Sequence, residues 1–151
     1  MTSKPERILF VCTGNTCRSP MAEAFFNQEA RRLALAVTAF SAGLSVSAPA
    51  SATPEAAAAV LALTGADLSA HAVRSVSQAL VGMADVVYGM TQGHVDLLRR
   101  LFPDCAPRIR RLGACDIPDP YGGTADDYAC AAQNIARETA RLVLALCGEA
   151  R

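Results

Sequence analysis

A chain of 151 residues with 52% apolar side chains is long enough to build one domain, 1–151, around a substantial core. Its 14 Lys and Arg balance 14 Asp and Glu, so no basic excess points to nucleic acid as a partner. No apolar run approaches the ~20 residues of a membrane span. Met1 to Arg7 lead straight into the first apolar stretch, leaving no room for a signal peptide, and a cytoplasmic protein is expected.

Taken in chain order, Ile8-Leu9-Phe10-Val11 reads as a short buried strand. Gly14 and Asn15 tolerate the backbone angles of a tight loop, and Ser19-Pro20 signals a helix start with Pro20 at the first helical position. Glu23 adds negative charge near the positive end of that helix. Ala22, Phe25, Phe26, Ala30 and Leu33 carry helical spacing to about Leu35. A second strand is expected over Ala36–Ser41, then a Ser-, Ala- and Pro-rich loop over 44–53. Thr53-Pro54-Glu55 opens an alanine-rich helix to about Leu63, with Gly65 as its stop. His71 falls in a loop and is expected to tie it down structurally.

A short helix over Ser77–Val81 and a third strand over Ala84–Tyr88 follow. Met90-Thr91 then leads into a helix over 92–102 that ends before Pro103, with His94 expected on its exposed surface. Arg108–Leu112 alternates like a fourth strand at an edge where arginines meet water. Asp116 to Gly123 is a loop by every turn rule. A last helix over 124–147 places Tyr128, Ala131, Ile135, Leu142 and Leu146 on one stripe. Alternating strands and helices predict an α/β fold: a small doubly wound parallel sheet of four strands with helices on both faces and the site at the strand C-terminal ends.

The chemistry concentrates in Cys12-Thr13-Gly14-Asn15-Thr16-Cys17-Arg18-Ser19-Pro20. A strand, a tight loop and a helix N-terminus form a nest of backbone N–H groups suited to an oxyanion such as phosphate. Cys12 stands at its mouth as the nucleophile, where the helix dipole and the Arg18 guanidinium favour thiolate over thiol. Ser19 is placed to donate a hydrogen bond to the sulfur. Arg18 offers a planar fork to two phosphate oxygens. Thr13, Gly14, Asn15, Thr16, Cys17 and Ser19 complete the binding loop.

A thiolate attacking phosphorus needs an acid opposite it to protonate the leaving group. Asp119, in a proline-flanked loop after the fourth strand, is the candidate, with Tyr121 lining the entrance. No metal or organic cofactor is required. Cys12 and Cys17 imitate metal ligands, but Arg18 beside them repels a cation. There is no Walker A lysine and no G-x-G-x-x-G, so nucleotide binding is unsupported. Six cysteines (Cys12, Cys17, Cys105, Cys115, Cys130, Cys147) in a cytosolic, core-rich chain are expected as mostly reduced thiols. Cys130 and Cys147 are expected as core or near-surface residues of the last helix. Cys17 is the expected partner of Cys12 in a reversible disulfide under peroxide.

These residues resemble the low-molecular-weight protein tyrosine phosphatase family. Its signature is an N-terminal cysteine, a Gly-Asn, then Cys-Arg-Ser-Pro opening a helix. Ser41-Ala42-Gly43 and Asp119-Pro120-Tyr121 extend the likeness along nearly the whole chain. The resemblance implies a flavodoxin-like strand order 2-1-3-4, a cysteinyl-phosphate intermediate and a general acid at Asp119. It also implies phosphorylated proteins as substrates of a monomer or weak dimer. Thr16, followed by Cys-Arg-Ser-Pro-Met-Ala-Glu, is similar to the bacterial protein arginine phosphatase branch, whereas tyrosine-specific members commonly carry a bulkier aliphatic residue there. Tyr121 stands where that branch often has phenylalanine. Two rival expectations remain. One is an arsenate reductase of the same fold, which would need Cys105 and Cys115 as resolving thiols. The other is a non-catalytic phosphoprotein-binding module.

Overall fold

The structure, a computed structural model, describes residues 5–149. Residues 1–4, which enter the signal-peptide argument, lie outside the described residues. Strands β1 (Arg7–Cys12), β2 (Thr38–Gly43), β3 (Val86–Gly89) and β4 (Ile109–Arg111) form one parallel sheet in the order β2-β1-β3-β4. Helices α1 (Arg18–Arg32), α2 (Pro54–Thr64), α3 (Gln78–Met83), α4 (Gln92–Leu101) and α5 (Ala125–Glu149) surround it. A 3-10 turn, Pro103–Arg108, joins α4 to β4.

The central strand explains its own composition. β1 has a strand on each edge and helices over both faces, so its apolar run is buried on both sides. Ile8, Phe10 and Cys12 alternate toward the layer of α1, α2 and α5, while Leu9 and Val11 face the layer of α3 and α4. Phe10 packs edge-on against Phe26 and stacks on Tyr88, each at 5.9 Å between ring centres. Burying each such side chain contributes ~1.5–3 kcal/mol. This central core fixes the end of β1, which is where the cysteine loop begins.

Several boundaries differ from the sequence expectation for local reasons. Helix α1 starts at Arg18, not Pro20, because Cys17 is already the flanking residue. Pro20 therefore sits at the third helical position, where its missing N–H is one of the unsatisfied first-turn donors in any case. Glu23 lies beyond the first turn and accepts from the Ser41 hydroxyl at 2.8 Å. The helix ends at Arg32 rather than near Leu35, as Ala34 turns back at φ +55°.

Strand β2 starts two residues later than expected and runs to Gly43, in register with Cys12. Ala84 and Asp85 precede β3. The Asp85 carboxylate instead accepts the Glu6 and Arg7 N–H groups at 2.7 and 2.9 Å, pinning the start of β1. β4 is only three residues long, and of Arg108, Arg110 and Arg111 only Arg110 is exposed. Arg111 is half-buried against Gly113 and Asp116, and Arg108 bends toward Cys105 Sγ at 3.1 Å. Helix α2 stops as expected at Gly65, whose φ of +77° suits glycine. Among the described residues no helix is long and apolar enough to cross a membrane.

Candidate active site

The loop from Thr13 to Cys17 leaves β1 and enters α1 through one residue in the left-handed region, Asn15 at φ +59°. Asparagine tolerates that angle, and here the conformation is held from three sides. Asn15 Nδ2 donates to Ser19 Oγ at 2.8 Å, Asn15 Oδ1 accepts the Arg74 N–H at 3.0 Å, and the Asn15 carbonyl accepts from His71 Nε2 at 2.8 Å. His71 thus ties its loop to the cysteine loop. The loop carbonyls are also spoken for: those of Cys12, Thr13 and Thr16 accept from Leu44, Ser45 and Thr53 at 2.9–3.0 Å. Among the described residues, no backbone N–H from Gly14 to Cys17 donates to a protein acceptor. Fixed carbonyls, with the loop N–H groups left without a protein acceptor, are what an anion nest requires.

Cys12 is buried, and its Sγ lies 2.9 Å from Ser19 Oγ. Because Asn15 donates to that hydroxyl, the Ser19 hydrogen is free for the sulfur, with the Ala42 carbonyl at 3.4 Å a poorer acceptor. A donated hydrogen bond favours the thiolate. Arg18 is buried with its guanidinium anchored: Nη1 donates to the Ile117 carbonyl at 2.9 Å, and Nη2 lies 3.5 Å from both Thr13 Oγ1 and Asp119 Oδ2.

The Asp119 loop is positioned from its base. Ile117 is buried and donates its N–H to the Met90 carbonyl at 3.0 Å. Asp116 accepts from the Gln92 N–H at 2.8 Å and from Arg111 at 3.1 Å, which hold its carboxyl below the usual range. Beyond those anchors Asp119 is half-exposed, with the Tyr121 N–H on its Oδ1 at 3.1 Å. Tyr121 itself is 69% exposed and stands at the rim.

All the expected site residues except Asn15 and Ser19 line one cavity of about 330 Å³ that also holds Asp119 and Tyr121. Asn15 and Ser19 are fully buried behind it and support the loop. The far wall comes from the 44–53 loop (Ser45, Val46, Ser47, Ala48, Ala50) and from Val73. Cys17 contributes to the lining, yet its Sγ is placed among hydroxyls, 3.5 Å from Thr53 and 3.6 Å from both Thr16 and Tyr128. Burial pushes the Tyr128 phenol up to about 12, so it remains a neutral hydroxyl.

His94 corrects the sequence expectation. It is 8% exposed rather than on the surface, and its Nε2 lies 3.0 Å from Thr13 Oγ1. Burial, followed by the charge of Arg18, pulls it down to about 4. The signal was in the spacing Thr91-x-x-His94, a reciprocal cap with histidine in the place usually taken by Glu or Gln. Of the other cysteines, Cys105 is buried, Cys115 and Cys130 are exposed and Cys147 is half-buried. Neither Cys105 nor Cys115 lines the cavity holding Cys12.

Comparison with known proteins finds relatives over most of the chain. The chain is 39% identical to a protein-arginine-phosphatase of Bacillus subtilis over 80% of its length and 83% of the relative's. It is 38% identical to a low molecular weight protein-tyrosine-phosphatase of Streptomyces coelicolor, over 81% and 82% of the two chains. The crystal structure of a YwlE mutant from Bacillus subtilis superposes with a TM-score of 0.88 at 33% identity, covering 93% of this chain and 98% of that one. A sequence model of the low molecular weight phosphotyrosine protein phosphatases matches residues 7–150, and with the sheet order and the cysteine loop in place the chain belongs to that family.

Proposed function

We propose that the protein removes phosphoryl groups from phosphorylated proteins through a cysteinyl-phosphate on Cys12, with phosphoarginine ahead of phosphotyrosine as the substrate side chain. The supporting observation is the juxtaposition in one cavity of Cys12 Sγ, the unpaired loop amides and the Arg18 guanidinium, with Asp119 across from them.

In the first step Cys12 Sγ attacks phosphorus in line, and an S–P bond forms as the P–N or P–O bond to the side chain breaks. The departing electron pair stays on the leaving nitrogen or oxygen, which takes its proton from Asp119. In the second step Asp119 accepts a proton from water, whose oxygen attacks phosphorus, and the S–P bond breaks to return the thiolate. The loop amides and Arg18 neutralise the three equatorial oxygens in both steps. Incoming phosphate competes for Arg18 Nη2 and so frees Asp119 from its 3.5 Å ion pair. Charge neutralisation and proton transfer are thus both supplied by side chains and amides. The setting is cytosolic, where Cys12 and Cys17 stay reduced.

Phosphoarginine is favoured by the walls. Thr16 is half-buried in the lining, and a hydroxyl there can orient a planar, polar guanidinium. The opposite wall is built from Ser45, Val46, Ser47, Ala48 and Ala50, and Tyr121 is the one aromatic residue of the lining. A phenyl ring would therefore have a flat partner on one side at most.

The test has two arms. Wild-type protein should turn over p-nitrophenyl phosphate with chelator present and Cys12→Ser should not; retained activity in Cys12→Ser removes the mechanism. Thr16→Ile should then lower the phosphoarginine to phosphotyrosine ratio of kcat/KM by at least ~10-fold, about 1.4 kcal/mol of differential transition-state binding. An unchanged ratio leaves Thr16 as a packing residue and withdraws the arginine preference.

A further inference from the structure

His94 occupies the third position of α4, and its imidazole makes two contacts of different kinds. Nδ1 accepts the Thr91 N–H at 3.2 Å, while Thr91 Oγ1 accepts the His94 N–H at 3.1 Å. That reciprocal pair caps the helix and uses one ring nitrogen. A nitrogen that accepts a backbone N–H carries no proton, so the proton of the neutral ring resides on Nε2. Nε2 lies 3.0 Å from Thr13 Oγ1 and donates to it. The ring cannot shift easily. A Cβ on Gly89 would stand 2.9 Å from His94 Cβ, so the end of β3 passes directly beneath the residue.

The consequence falls on Thr13. Its hydroxyl has two acceptor lone pairs and one hydrogen. His94 Nε2 takes one lone pair, and Arg18 Nη2, a donor under all conditions, lies 3.5 Å from the same oxygen and can take the other. The hydrogen is then left for the cavity, which Thr13 lines together with Cys12 and Asp119. The charged groups that act on the imidazole are Arg18, Asp119 and Asp116. Burial and Arg18 outweigh the two carboxylates and keep the ring neutral through the physiological range.

We propose that His94 is a positioning residue for phosphoryl transfer: its Nε2–H orients the Thr13 hydroxyl as a donor to the transferring phosphoryl group. The proposal rests on the phosphatase reading of the site. It goes beyond helix capping, which Nδ1 satisfies alone.

The two nitrogens can be separated by substitution. His94→Asn retains an acceptor near the Nδ1 position and removes the donor at Nε2; His94→Gln carries an amide donor out to the Nε2 position. With p-nitrophenyl phosphate, His94→Asn should lower kcat by ~10-fold, with KM and the inhibition constant of inorganic phosphate within about twofold. His94→Gln should recover most of that loss. In a Thr13→Val background His94→Asn should have no further effect, because the hydroxyl it orients is gone.

The proposal is overturned if His94→Asn turns over like wild type, or if its loss is undiminished in Thr13→Val. An inactive wild type would instead sink the phosphatase reading and this proposal together. Should His94→Asn fail to fold, the wild-type protein still decides. It has only two histidines, so a long-range proton–nitrogen NMR spectrum assigns both rings. A proton on Nε2 of His94 is the expected result, and a proton on Nδ1 overturns the proposal.

Discussion

At the scale of single residues, the site is a set of hydrogen bonds whose directions can be deduced by counting donors. Asn15 donates to Ser19, which leaves the Ser19 hydrogen for Cys12, and Arg18 is fixed by the Ile117 carbonyl before any phosphate arrives. Asp119 is the least constrained member, half-exposed on a loop anchored at Asp116 and Ile117. If it is the proton donor, Asp119→Asn should slow poor leaving groups by ~10²–10⁴-fold, the usual contribution of general acid catalysis. Activated esters, which depart without a proton, should lose much less in the first step. A leaving-group series measured under single-turnover conditions checks this, and an equal loss across the series assigns Asp119 a structural role instead.

Cys12, Arg18 and Asp119 were picked out in the sequence by residue type beside turn signals, and the structure brings all three to one cavity. His94 and the supporting side chain of Asn15 were not legible in this way. Their importance comes from partners 81 and 59 residues away, Thr13 and Arg74, that only the sheet brings near.

At the scale of elements, the cysteine loop depends on β2 approaching closely at its C-terminal end. Gly43 pairs with Cys12, and a Cβ there would meet the Thr13 carbonyl at 2.7 Å and the Asn15 nitrogen at 3.0 Å. Both are backbone atoms of the anion nest and have little room to yield. Gly43→Ala should therefore destabilise the fold by ~1–3 kcal/mol, the usual cost of overpacking, and impair turnover beyond what the stability loss explains. Chemical denaturation and inhibition by inorganic phosphate measure the two effects separately; normal phosphate inhibition in the variant would show the nest unmoved.

The helices were the more readable elements. The Thr53-Pro54 start and Gly65 stop of α2, and the apolar stripe of α5, are local signals that tertiary packing did not override. The α1 start and the β2 limits moved by two residues. For β2 the deciding feature is its pairing with β1 as far as Cys12 and Gly43, which no single segment encodes, and for α1 it is Cys17 as the flanking residue.

At the scale of the whole molecule, the sheet order β2-β1-β3-β4 places the C-terminal ends of β1 and β3 side by side, so the loop that starts at Thr13 meets the first turn of α4, where His94 sits. Periodicity indicated a parallel sheet but not this order, which the family resemblance supplied. Burying His94 as a neutral group also links folding to pH. Its native value of about 4 lies below the ordinary 6.5, so between these limits the unfolded chain binds a proton that the native protein does not. Stability should rise with pH across that window and fall by about 2–3 kcal/mol between pH 7 and 4.5. Carboxylates held low in the native state, such as Asp85 and Asp116, withdraw their contributions only at lower pH. Urea unfolding at the two pH values should show this loss in wild type and a much smaller one in His94→Asn; equal losses would place the acid sensitivity elsewhere.

The covalent intermediate is the centre of the account, and it can be observed directly. Asp119→Asn protein mixed with p-nitrophenyl phosphate and quenched in acid within the first turnover should carry one phosphoryl group. Peptide mass spectrometry should place that group on Cys12, with one equivalent of nitrophenol released in a burst. Hydrolysis with no phosphorylated enzyme, or a phosphoryl group on another residue, would contradict the assignment.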